Sequence, residues 1–143
     1  MNEENTKKLM GDFPEFFKHT DNMMESLMCF GFEYDDGWMD LTYKLCKDIK
    51  DYFIYIDSRH KIPEYFYVVQ CKEKFGGLRF YITTAPKQVF EIINKAEDKS
   101  YKICEICGKK GILRNKLPWW RNEDYSGEPY QEYFLLASAS EIK

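Results

Sequence analysis

The stretch from Tyr65 to Thr84 constrains the fold more than any other part of this 143-residue chain. Residues 65–74 (YFYVVQCKEK) and 78–84 (LRFYITT) are rich in aromatic and β-branched types, which favour strands. Phe75-Gly76-Gly77 lies between them. Glycine takes the positive φ that a tight hairpin turn demands, so the spacing predicts a β-hairpin turning there. Alternation groups Leu78, Phe80 and Ile82 on one face of the second strand and Arg79, Tyr81 and Thr83 on the other. On the first strand it groups Phe66, Val68, Gln70, Lys72 and Lys74. The register between the strands stays open.

Helical periods flank the hairpin. Trp38, Leu41, Leu45, Ile49, Phe53 and Ile56 recur at three- and four-residue steps, the stripe of a helix packed on a core. Asp35 or Asp36 is the expected cap, and acidic groups there suit the helix dipole. Pro86 opens a further helix with Thr83 or Thr84 as cap and an inward stripe of Val89, Ile92, Ile93, Ala96, Ser100 and Ile103. That helix runs into Cys104–Cys107 and stops at Gly108. Another helix is expected from Asp12, with Pro14 in its first turn and an irregular stretch through Met28. Residues 1–11 read as a flexible N-terminus. Residues 57–63 read as a polar connector, Ile112–Arg114 as a short strand and Leu117-Pro118-Trp119-Trp120 as an apolar loop, while 130–139 fit either period. Together these predict an α+β fold. A β-hairpin or small antiparallel sheet packs against about three helices, in a single domain over 12–143.

Composition narrows the class. The length suits one domain with a core of its own. With 11 Tyr, 11 Phe and 3 Trp, most rings are expected in the core and a few in a pocket or stacked on a planar ligand. Net charge is −3, so generic nucleic-acid binding is not expected. The charge is uneven: residues 1–64 carry a net −6, residues 65–116 a net +6, and residues 117–143 a net −3. A basic middle fits one anion-attracting face, and equally a solvated helix surface. Five cysteines do not make a secreted disulfide framework. The start, MNEENTKKLM, lacks a signal peptide's apolar segment, and no apolar run nears the roughly 20 residues of a membrane span. A cytoplasmic protein with free thiols, away from the membrane, is expected.

Few constellations carry chemistry. Cys104-x-x-Cys107-Gly108 has zinc-knuckle spacing, but no second pair follows it, so 104–120 reads as a degenerate knuckle. No cofactor is called for; zinc on Cys104 and Cys107 is the alternative that stays open. A redox role is not expected, because the pair lies at a helix C-terminus, where the dipole does not lower a thiol pKa. Asp35, Asp36 and Asp40 cluster around Gly37-Trp38 as metal ligands or as helix caps. No nucleophile turn, Walker sequence or dinucleotide fingerprint is present. Lys72, Lys74, Arg79 and Tyr81 flank the hairpin turn. Arginine grips phosphate through paired donors and tyrosine stacks or hydrogen-bonds, so this is the preferred ligand-contact region; a charge-protected edge strand is the plainer reading.

Three segments, Met28-Cys29-Phe30-Gly31-Phe32-Glu33, Asp36-Gly37-Trp38 and Lys72-Glu73-Lys74-Phe75-Gly76-Gly77-Leu78-Arg79-Phe80-Tyr81, resemble a largely uncharacterised family of small phage and prophage proteins. Ala96, Ser100 and Cys104-Glu105-Ile106-Cys107-Gly108 fit the same pattern, and the likeness covers roughly residues 13–113. Many members end with a second Cys-x-x-Cys after a Trp, completing a zinc ribbon; here Trp119-Trp120 has no cysteine after it. Many also carry Cys where this chain has Tyr34. The resemblance implies a viral accessory protein acting in host cytoplasm, of the sort that inhibits host defence. Joined to the charge pattern, it implies a non-catalytic binder that sequesters a small anionic, nucleotide-derived immune signal. Lys72, Lys74, Arg79, Tyr81, Trp38 and Asp36 are the contact candidates. The alternatives are an inhibitor that binds a host protein through Trp119, Trp120 and the hairpin edge, and an enzyme that cleaves such a nucleotide with a metal on Asp36 and Asp40. A homo-oligomer with a pocket between subunits stays open.

Overall fold

A computed structural model describes residues 1–56 and 60–111. Along the chain run α1 (Glu3–Asp12), β1 (Phe32–Glu33), α2 (Met39–Ile56), β2 (Val68–Lys74), β3 (Gly77–Ile82) and α3 (Lys87–Ser100), with single 3-10 turns at Met28–Phe30 and Asp36–Trp38. The fold is α+β, as expected, but the sheet is mixed. Its order is β1-β2-β3, with β1 parallel and β3 antiparallel to β2. The expected strand at 112–114, the loop at 117–120 and the segment 130–139 lie outside the described residues.

The hairpin forms where expected, with a loop one residue shorter, because Gly77 belongs to β3. Lys74 pairs with Gly77, leaving Phe75 and Gly76 as a two-residue loop. Both have positive φ, 54° and 82°, as a type I′ turn requires. Gly77 serves packing instead: a Cβ there would lie 2.4 Å from Cζ of Tyr101. A register shift between Val68 and Gln70 changes the phase of β2. Val68 and Cys71 are therefore both buried, opposite Ile82 and Phe80, while Gln70, Lys72 and Lys74 point outward. The expected grouping of Val68 with Lys72 fails at that bulge.

Helix α1 corrects the reading of residues 1–11 as flexible. The side chain of Asn2 accepts the Asn5 N–H at 2.8 Å, and Leu9 is fully buried. Pro14 follows the end of this helix and begins none, which fits proline's place just past a C-terminus. Phe16, Phe17 and Met28 then enter the core from turns and a 3-10 segment, while Met23 and Met24 are exposed. Helix α2 buries Leu45, Ile49 and Phe53 as predicted, together with Thr42 and Cys46. The core is largely aromatic: Phe53 and Phe16 meet Phe66 edge-on at 5.0 and 5.1 Å, and Phe17 meets Phe32 at 5.5 Å.

The expected caps do other work. Asp36 accepts Asn2 N–H at 2.8 Å and the Asn5 side-chain amide at 3.0 Å, tying α1 to the start of the Asp36–Trp38 turn. Thr83 accepts the Tyr67 N–H at 3.1 Å and donates to the Tyr65 carbonyl at 2.9 Å; Pro86 precedes α3 with no side-chain cap. Helix α3 stops at Ser100, short of the cysteines, and Ile103 and Lys110 form a bridge around the turn they share. That turn docks on Gly37, where a Cβ would fall 2.3 Å from the carbonyl oxygens of Cys104 and Glu105. No helix among the described residues is long and apolar enough to cross a membrane.

Gly37→Ala is expected to destabilise the fold by about 1–3 kcal/mol, because backbone must move to admit the methyl group. Gly11→Ala, in α1 with open space around it, should stabilise by about 0.5–1 kcal/mol. Urea titration of the two variants checks both signs.

Candidate ligand-binding face of the hairpin

The register brings four of the sequence-selected residues together. Lys72 pairs with Arg79, Gln70 with Tyr81 and Lys74 with Gly77, so Lys72, Lys74, Arg79 and Tyr81 share the outer face. Lys72 Nζ lies 5.9 Å from the centre of the Tyr81 ring, which is 41% exposed. The opposite face carries Leu78, Phe80 and Cys71 into the core. The lysines therefore sit on a sheet face, and the edge of β3 is covered otherwise. There Leu78 N–H donates to Ser100 Oγ at 2.9 Å and Phe80 N–H to Glu97 Oε2 at 2.9 Å.

Arg79 is held in one orientation. Nη1 donates to its own neighbour's carbonyl, Leu78 O, at 2.9 Å, and Nη2 donates to the Tyr101 hydroxyl at 3.1 Å. Burial works against its charge, but the Tyr101 bond and the Glu97 carboxylate outweigh that and raise its pKa. Tyr101 can reach it because Gly77 leaves room for the phenol ring. Tyr101 escaped the sequence reading, which carried α3 through that position; the glycine after the turn was the available signal. An arginine fixed at two donors keeps its remaining N–H groups oriented for an oxyanion.

Trp38 and Asp36 do not join this face as contacts. Trp38 is fully buried and donates Nε1–H to Ile103 O at 2.9 Å, so its ring belongs to the core. Asp36 is exposed but committed to Asn2 and Asn5, and the Asn2 N–H bond is the main reason its pKa falls. Cys104 is buried and Cys107 exposed on one turn, closed by Gly108 N–H to Cys104 O at 2.9 Å. Burial raises the Cys104 thiol pKa, against backbone N–H groups of Cys107 and Ile106 that favour the thiolate. Among the described residues no three His, Cys, Asp or Glu side chains gather to hold a metal. Two thiols would be half of the four ligands that a structural zinc site needs. A separate groove of about 500 Å³ runs between α2 and α3 over Leu41, Leu45, Ile92 and Ala96, and none of the ligand-contact candidates lines it.

Beneath the hairpin lie acidic groups. Glu73 Oε2 accepts Gly76 N–H at 2.7 Å and shapes the turn. Burial lifts its pKa to about 7, against that bond and the Arg79 charge. Glu105 is 7% exposed and accepts Asp35 N–H at 3.2 Å. Burial, with repulsion from Glu73 and Asp35, lifts its pKa to about 8. No family model, no curated protein and no solved structure matches the chain.

The Glu105 shift has a stability consequence. Its folded pKa, about 8, lies above the ordinary 4.5, so the folded state binds the proton more tightly. Stability then falls as pH rises between those values. Glu105→Gln keeps the acceptor for Asp35 N–H and cannot ionise. The variant should melt above the parent at pH 8, and the gap should close towards pH 5, as read by thermal melts across that range.

Proposed function

We propose that the protein is a non-catalytic binder that captures a small anionic, ring-bearing ligand on the outer face of the β2–β3 hairpin. The supporting observation is the convergence of Lys72, Lys74, Arg79 and Tyr81 on one face, with Arg79 oriented by Tyr101 and the Leu78 carbonyl. Lysine and arginine neutralise phosphate, and the tyrosine ring offers a stacking surface. A nucleotide-derived signal has that chemistry. The biological setting, a phage accessory protein that blunts host defence by withdrawing such a signal, rests on the resemblance of the Lys72–Tyr81 block.

The test is capture and release. The purified protein is incubated with cyclic nucleotides and ADP-ribose derivatives, freed of unbound ligand, heat-denatured, and the supernatant is analysed by mass spectrometry. Intact ligand in the supernatant is expected. Arg79→Ala should lower capture by about 10- to 100-fold while leaving the melting temperature near that of the parent. Chemically altered ligand would turn the reading towards an enzyme, and no uptake would remove it.

A further inference from the structure

Phe75 occupies a position that does not suit it. Its φ is 54°, in the left-handed region that aromatic residues seldom take, and the first place of a type I′ turn favours Asn or Gly. Its ring is 53% exposed and lies outside the buried core. The turn is already shaped by Gly76 at φ 82° and by the Glu73 carboxylate on the Gly76 N–H. The ring therefore adds little to folding and carries a conformational cost. Such residues concentrate where a site needs them.

The place of the ring narrows that need. Lys74 Nζ lies 5.7 Å from its centre, and Lys74 shares the outer face with Lys72 and Arg79. The tip of the hairpin thus joins an exposed aromatic surface to a row of cations. We infer that Phe75 is the stacking platform for the planar ring of the ligand, while Lys72 and Arg79 hold its anionic group. This rests on the hairpin-face reading above and adds, beside the Tyr81 ring, a second ring at the hairpin tip that would favour a nucleotide over a bare phosphate.

Two probes separate the roles: ADP-ribose carries a ring, and inorganic pyrophosphate does not. Both are titrated by calorimetry against the parent, Phe75→Asn, Phe75→Trp and Arg79→Ala. Asn-Gly is the favoured type I′ pair, so Phe75→Asn should melt at or above the parent temperature. It should lose roughly tenfold or more in ADP-ribose affinity, as loss of a stacking ring does, with pyrophosphate affinity unchanged. Phe75→Trp should restore ADP-ribose binding, and Arg79→Ala should weaken both probes. If Phe75→Asn binds ADP-ribose like the parent while Arg79→Ala loses both, the stacking role falls and the anion face stands. Equal loss of both probes, or a lowered melting temperature, makes Phe75 structural and overturns the inference. A parent that binds neither probe overturns the face and the platform together.

Discussion

Two backbone N–H groups on the outer edge of β3 organise the rest of the molecule. Among the described residues Leu78 and Phe80 have no further strand to pair with, and unpaired N–H groups away from water are costly. Ser100 and Glu97 accept them, each at 2.9 Å. That pair of bonds lays α3 along the edge of the sheet and fixes where the helix ends. Tyr101 follows immediately and drops into the space above Gly77, from which its hydroxyl reaches Arg79. The arrangement of the basic face is thus inherited from an edge that had to be covered.

The same contacts set charge against charge. Glu73 and Glu97 are half-buried carboxylates near Arg79, and burial raises the pKa of both. Their bonds to the Gly76 and Phe80 N–H groups pull the other way, so each has a backbone partner as well as the arginine for company. Lys72 and Lys74 have no carboxylate within ion-pair distance among the described residues. The face is therefore asymmetric. One cation is held rigidly over acidic neighbours, and two on longer, freer stems face solvent.

Much of this was legible in the residues. The 3- and 4-step stripe through Leu45, Ile49 and Phe53 reads directly as α2, because a long amphipathic helix leaves a strong period. The hairpin reads from its glycines and alternation. What escaped was local and conformational. Positive φ at Phe75 leaves no trace in an aromatic residue, so which two of the three residues 75–77 make the turn did not show. The bulge beside Val69 inverts the strand phase without any change in composition, and register followed only from the pairing of Lys72 with Arg79. Helix α1 is polar with a single fully buried residue, Leu9, so its period is too faint to see. Trp38 shows why ring chemistry alone does not locate a site: a tryptophan that can stack on a ligand can equally be sealed into the core with its N–H on a carbonyl.

Both margins of the sheet carry hydrogen bonds to other parts of the chain. On one side Glu97 and Ser100 bond β3; on the other the Met1 nitrogen donates to the carbonyls of Phe32 and Tyr34 in and beside β1. An extended peptide that adds itself as a further strand would have to displace these bonds first. Adding a strand at these positions, as in β-augmentation or edge-to-edge aggregation, therefore competes with bonds already made. On the hairpin-face proposal, selectivity would rest with the handful of side chains that project from the hairpin.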